Sequence, residues 1–384
     1  EHAQSLVTMP PPTGSAFGQV HVPYGEDGAG LYSEVTLGCF NSMERATSTV
    51  LSAVDQISLG PGFIRVADFG VADGGTSMPL MDKIISLIKS KSPETEVEIS
   101  YEDQPNNDFK SLFYHVQGIK PLPQATVPYL KKHTGVFVTV CGTSFHEQCY
   151  PHSSVHLAMS FTAMHWLSAR PCGISDGLHS TQAQFVEKSL LAAQAAKDWA
   201  ALLVFRANEL VVGGQLVIAN LGVSPEGQWL GHTDIGPCMY STMDELWLGM
   251  ADEGFITVAE YLATSFINYY RTEEEMLAPL KKEGAAHNAG LRVVSCSWAT
   301  TRCPFRTAYL EKGGDPAAHA KWYVPTLRTW SNSTFLSALN TSRPEEERKG
   351  LVDKLFQRYE TRVAQDPAGH GMDYVHCLLH LKRV

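Results

Sequence analysis

The sequence predicts an α/β chain, a doubly wound and mostly parallel sheet followed by a helical cap. Five short apolar runs, at 63–70, 96–103, 135–142, 155–161 and 215–222, alternate with longer helix-like segments. Strands buried on both faces read as such near-continuous apolar runs. Beyond about residue 223 the runs give way to helical periodicity. That change predicts helices packed over the sheet as a lid.

Taken in order, residues 1–20, with "TMPPPTGSAFG", read as a flexible leader. Residues 40–58 read as a helix. The first strand, "FIRVADFG", is followed by "MPLMDKIISLIKSK", and the later strands flank "TQAQFVEKSLLAAQAAKDWAALLVFRANEL", both with helical spacing. The cap is read from "MDELWLGMADEGFITVAEYLATSFINYY" and "PEEERKGLVDKLFQRYETRVAQD". The expected organisation is a leader (1–20), a ligand-binding core (21–222), a mainly helical cap (223–320) and a C-terminal segment (321–384) returning to the core.

Composition narrows the function. A chain of 384 residues, 44% hydrophobic and 18% charged, buries a sizeable core and is too polar for a membrane bundle. Its formal net charge of -10 argues against a nucleic-acid groove, which needs clustered Lys and Arg. No apolar run is long enough for a membrane span. Eight scattered cysteines without a C-x-x-C pair read as free thiols, hence a cytoplasmic location, with any targeting segment ahead of Glu1 left open.

The chemistry starts at "VADFGVADGG". Asp68 precedes a turn containing Gly70, Gly74 and Gly75. The spacing matches neither a P-loop nor G-x-G-x-x-G, so phosphate is not the expected ligand. A carboxylate ahead of a glycine turn suits a cation, and S-adenosylmethionine carries both a sulfonium and an ammonium. A purely structural turn is the alternative. The second strand ends in Glu102 and Asp103, with Gln104 next, where an acid can accept both hydroxyls of a ribose; an ordinary acidic turn would look the same. The third strand ends in "VCGTSF", offering the Ser144 hydroxyl and the Phe145 ring to an adenine.

"VADFGVADGGTS", "YEDQPNNDF", "GTSF…YP" and "FTAMHWLS", in that order and spacing, resemble the plant salicylate, benzoate and theobromine methyltransferase family, called SABATH. The likeness runs from about Tyr32 to the C-terminus and includes "GGQLVIANLG", "DEGFI" and "DKLFQRYE". It implies a Rossmann-like methyltransferase core with a helical cap, often a homodimer. It also implies transfer of a methyl group from S-adenosylmethionine to a small acid or a ring nitrogen, with S-adenosylhomocysteine as product. By the resemblance, Asp68, Gly70 and Gly74 fall on the cofactor loop, Asp103 with Gln104 at the ribose, Ser144 and Phe145 beside the adenosyl group, and Tyr32 on the N-terminal tyrosine. Trp166 matches the tryptophan beside the methyl acceptor.

Two departures fall at the acceptor. Cys39 stands where the family has a glutamine, and Thr162 where it has a tyrosine. In carboxyl-methylating members the glutamine and tryptophan are expected to donate to the substrate carboxylate, so a thiol at position 39 weakens that clamp. Asp73 and Thr76 also depart from the family's cofactor loop. An ionised carboxylate needs no general base, and catalysis is then positioning and desolvation. An amine or phenol acceptor would use one, and His165 and His146 are the candidates, with simple packing beside Trp166 the alternative for His165. Tyr240, Met159, Met164 and Trp247 are candidates for the acceptor wall or for the core. His152 and His156 have helical metal-pair spacing but precede a strand, and no metal is expected. The leading function is O-methylation of a small carboxylic acid. N- or S-methylation, or a degenerate small-ligand binder, remain open.

Overall fold

A computed structural model describes residues 23–59, 62–122 and 127–384, so the leader read at 1–20 lies outside the described residues. The strands are β1 (Phe63–Phe69), β2 (Glu96–Glu102), β3 (Val136–Cys141), β4 (Val155–Phe161), β5 (Leu210–Val223), β6 (Arg271–Thr272), β7 (Leu291–Thr301) and β8 (Tyr374–Arg383). Their order is β3-β2-β1-β4-β5-β8-β7, with the short β6 beside β5. Strands β1 to β5 pair in parallel, and β8 runs antiparallel to both β5 and β7. The doubly wound α/β fold expected from the sequence is the fold observed.

Alternation along β1 shows why both faces are covered. Ile64 and Val66 pack with Ile84, Ile85 and Ile88 of the helix Met78–Lys91. Ala67 and Phe69 pack with Trp199, Leu202 and Leu203 of the helix Phe185–Glu209 on the other side. A third core, containing Trp247, Tyr323, Phe335 and Phe356, joins the helices Met239–Asp252, Pro316–Ala338 and Glu345–Gln365.

The chain reverses its progress across the sheet between β1 and β4. That switch point is where the ends of neighbouring strands diverge and a ligand crevice forms. Asp68 lies opposite Tyr101 and Met159, and Phe69 opposite Glu102 and Ser160, so the three strands finish at one level.

Two expectations need correction. The stretch read as mainly helical contributes β6 and β7 to the sheet. Strand β7 lies at the edge of the sheet, and its run "LRVVSCSWATT" mixes polar and apolar residues that are mostly exposed or half-buried. The helix read through Tyr270 ends at Ala263 instead. It is preceded by a break at Gly254 (φ 79°) and a new N-terminus capped reciprocally by Thr257 and Glu260. The following segment, 264–270, runs extended beside 165–167, with Leu167 N–H donating to Ile267 O (2.9 Å) and Tyr269 N–H to His165 O (2.9 Å).

Candidate active site

At the carboxyl ends of β1 to β4 a cavity of about 710 Å³ opens between sheet and cap. Its wall includes Tyr32, Gly70, Asp103, Gln104, Ser144 and Phe145 toward the sheet. Cys39, Thr162, His165, Trp166 and Tyr240 face it as well. The rest of the wall mixes aromatic and aliphatic side chains, such as Tyr270, Trp330 and Leu230, with polar ones such as Thr143 and Asn268. Among the described lining residues none is Lys or Arg, and Asp103 and Glu147 are the carboxylates.

The sheet end is built on Asp103. Its backbone N–H donates to Cys141 O of β3 (3.1 Å), which continues the β2–β3 ladder by one residue. Its carboxylate accepts from Gln104 N–H (2.8 Å) and from Ala72 N–H (2.7 Å). Ala72 adopts φ 51°, which is uncommon outside glycine, and Asn107 Nδ2 donates to its carbonyl (2.6 Å). The turn after β1 is thereby strapped to the end of β2. Burial pushes the Asp103 carboxyl up to about 6, against the pull of the Gln104 and Ala72 N–H groups.

Gly70 has φ 74° and donates its N–H to Glu102 O (2.9 Å). A Cβ there would collide with Ala163, another lining residue, so only glycine fits. Asp68 lies deeper, 2% exposed, at a small space of about 10 Å³ whose wall shares Tyr32, Cys39 and Gly70 with the large cavity. Its Oδ2 has no hydrogen-bond partner. Burial pushes this carboxyl up to about 7, with the Ser77 hydroxyl opposing and the Asp103 charge adding. An unpaired buried carboxylate oxygen is costly alone and favourable beside a cation.

Phe145, 7% exposed, and Ser144 sit on the loop after β3. Ser144 Oγ accepts from His146 N–H at 3.4 Å. Arg206, at the end of the helix Phe185–Glu209, fixes this loop. Its guanidinium lies over the Phe69 ring (4.1 Å to the centroid) and donates to Phe145 O (3.1 Å) and Glu147 O (2.8 Å). Glu209 pairs with Arg206 and accepts from Cys149 N–H (2.6 Å) and Tyr150 N–H (3.2 Å).

At the cap end, the Cys39 thiol lies 3.5 Å from Tyr32 Oη and donates to Tyr374 Oη at 3.6 Å. Burial raises that thiol's pKa, so it remains protonated. Thr162, at φ 58°, bonds His376 Nε2 of β8 at 2.9 Å. Burial draws His376 down to about 3, which keeps it neutral. The His165 and Trp166 rings lie 5.4 Å apart, and Tyr240 Oη is 2.6 Å from Tyr270 Oη.

Some expected residues are elsewhere. Gly74 is not among the lining residues; with φ 70° it faces Leu112, which a Cβ would meet at 3.0 Å. Asp73 is turned away from the cavity, bound by Ser33 N–H (2.9 Å) and the Ser33 hydroxyl, while Thr76 lines the small space. Met159, Met164 and Trp247 are core residues, and Trp247 Nε1 donates to Thr264 Oγ1 (2.8 Å). His156 Nδ1 accepts from Arg65 N–H of β1 (3.1 Å). Conversely, Asn268, Tyr270, Trp330, Met372 and Tyr374 line the cavity without having been foreseen. An Arg and a Glu three residues apart at the end of a helix-like run was the one sequence signal available for Arg206 and Glu209.

The fold and the chemistry of this cavity are those expected of a Rossmann-like S-adenosylmethionine-dependent methyltransferase. The orphaned Asp68 oxygen suits the cofactor's ammonium, Asp103 its ribose, and a wall without Lys or Arg suits a sulfonium better than a phosphate. Residues 31–384 match the SAM dependent carboxyl methyltransferase family, and the chain belongs to it. It is similar to a probable S-adenosylmethionine-dependent methyltransferase of Arabidopsis thaliana, 26% identical over 88% of this chain and 90% of that protein. It is also similar to gibberellic acid methyltransferase 1 of Arabidopsis thaliana, 25% identical over 89% and 91% respectively. Loganic acid methyltransferase, solved with SAH, has the same fold: TM-score 0.70 at 20% identity, covering 94% of this chain and 98% of that one. No helix among the described residues is long and apolar enough to cross a membrane.

Proposed function

We propose that the chain methylates a small organic acid whose carboxylate sits beside Trp166, with the rest of the molecule against the aromatic wall of Tyr240, Tyr270 and Trp330. The observation that carries this reading is the single continuous cavity. Its sheet end offers carboxylates and its cap end offers neutral, mostly apolar groups. When bound, S-adenosylmethionine supplies an electrophilic methyl group on a sulfonium sulfur. Asp68 would hold its ammonium, Asp103 and Gln104 its ribose, Phe145 and Ser144 its adenine, and Tyr32 and Gly70 would close around it.

The cap end strips water from the acceptor carboxylate and orients it, which is the main work left to the protein when the nucleophile is already ionised. Trp166 supplies a donor; Thr162 and Cys39 shape the wall, their polar atoms spent on His376 and on the two tyrosines. His165 packs at a tilt beside Trp166 as a positioning ring.

Transfer from radiolabelled S-adenosylmethionine to a panel of acids, amines and thiols tests this. Base-labile methyl esters are expected, whereas base-stable products would establish an N- or S-acceptor instead. With the best acid, Trp166→Phe should lower kcat/KM by about tenfold or more, the effect of one lost hydrogen bond to a charged group, and leave S-adenosylhomocysteine affinity unchanged.

A core over 21–222, a cap over 223–320 and a returning segment over 321–384 are retained, with β7 assigned to the sheet. Eight free cysteines agree with a cytoplasmic location. The homodimer rests on the family likeness, and light scattering checks it.

A further inference from the structure

The acceptor end lacks an amide where the family resemblance leads one to expect it, because position 39 is a cysteine whose thiol is engaged by Tyr32 and Tyr374. Another amide stands at the cavity wall. Asn268 is 1% exposed and lies on the segment 264–270. Its backbone forms an antiparallel bridge with Trp166. Residues opposed in such a bridge carry their side chains to the same face, so the Asn268 amide and the Trp166 indole are neighbours.

The orientation of that amide is set by His179. The ring's Nδ1 accepts from Thr181 N–H (3.2 Å), and burial draws the imidazole down to about 3, so the neutral ring carries its proton on Nε2. Asn268 is the side chain that opposes this downward shift, yet neither His179 Nε2 nor Asn268 Oδ1 reaches hydrogen-bond geometry with any partner. A buried N–H donor on that side favours the amide oxygen facing it. The Asn268 Nδ2 is then left toward Tyr240 and the cavity. The Asn268 amide opposes the upward push of burial on the Tyr240 phenol, as a group donating toward that oxygen does. Asn268, Tyr240 and Trp166 all line the chamber. His179 stacks on Tyr240 (4.0 Å between centroids) and against Tyr270 (4.5 Å), which holds the cluster in place.

We propose that Asn268 Nδ2 is the second donor to the acceptor carboxylate, acting with Trp166 and standing in for the amide absent at Cys39. The inference rests on the carboxyl-acceptor reading above, and narrows the acceptor to acids whose carboxylate fits between these two side chains.

The test uses the acid giving most methyl ester in the panel, with Asn268→Leu and Asn268→Asp. Asn268→Leu keeps the volume and removes the donor. It should lower kcat/KM about tenfold, mainly through KM, while S-adenosylhomocysteine affinity stays within about twofold. Asn268→Asp places a like charge against the substrate. It should lose more at neutral pH and regain activity toward about pH 5, relative to wild type, as the introduced carboxyl protonates and becomes a donor. Unchanged kcat/KM in Asn268→Leu would overturn the proposal, as would equal losses of acceptor and cofactor binding. Should Asn268→Leu fail to fold, a flat relative pH profile in Asn268→Asp overturns it. A panel that yields no ester sinks the carboxyl reading and this inference together. An active wild type with an unaffected Asn268→Leu sinks this inference alone.

Discussion

The role proposed for Asp68 toward the cofactor's ammonium carries a pH dependence, because its carboxyl is buried. In the free protein its carboxyl is pushed up to about 7, against 3.8 for an ordinary aspartate. Between those two values the folded chain keeps a proton that the unfolded chain has lost. This group therefore makes the free protein less stable as pH rises through that window. A bound ammonium reverses the preference, because it favours the ionised form and lowers the pKa. Cofactor binding should then release a proton near neutrality. Affinity for S-adenosylhomocysteine is expected to level off above about pH 7 and to weaken by up to about tenfold per pH unit below it. Calorimetry in two buffers of different ionisation enthalpy measures the released proton directly. An affinity independent of pH, with no buffer-dependent heat, would remove Asp68 from the cofactor site.

At the scale of elements, the turn after β1 divides its glycines between two jobs. Gly70 touches the cavity, and the lining residue Ala163 leaves no room for a side chain there. Gly74 instead begins the short helical turn Gly75–Ser77 and packs on Leu112 of the helix Phe109–Gln117. Both have positive φ, but only one of them lines the cavity. Gly74→Val puts a β-branched side chain at φ 70° and against Leu112, so it should destabilise the fold by about 1–3 kcal/mol through backbone strain. The folded fraction should still bind S-adenosylhomocysteine with near-normal affinity. Urea unfolding and calorimetry on the same sample separate the two effects. A variant of native stability that has lost binding would place Gly74 at the cofactor after all.

On the scale of the whole molecule, the sheet depends on its last strand. Strand β8 is the antiparallel partner of both β5 and β7, through seven register pairs on one side and ten on the other. It also delivers Tyr374 and His376 to the acceptor end, 335 residues in sequence from Cys39 in the first case. Ending the chain after Gln365 would expose the edge of β5 and the buried Leu379 and Leu381 positions of the core. Such a truncation is expected to be insoluble or to lose cooperative unfolding, as read by circular dichroism and thermal melts. A soluble, cooperatively folding truncation would mean that β1 to β5 form a stable sheet by themselves.

The sequence by itself determined the parallel sheet and pointed to the residues that line the sheet end of the cavity. Strands β1 to β4 are short runs rich in apolar residues, and the candidate residues fall at or just past the ends of the first three, so local pattern and position coincide at Asp68, Asp103, Ser144 and Phe145. The acceptor end was decided by tertiary structure. Its wall is assembled from Cys39, Thr162, Asn268, Trp330 and Tyr374, which lie on five separate stretches of chain. Asn268 was hidden inside a periodicity that reads as helix, and only the extended pairing of 264–270 against 165–167 turns it toward Trp166. Whether a thiol, an amide or a hydroxyl is free to meet a substrate depends on which buried neighbour claims it first. Those neighbours are brought together by packing between distant segments, which no local spacing encodes.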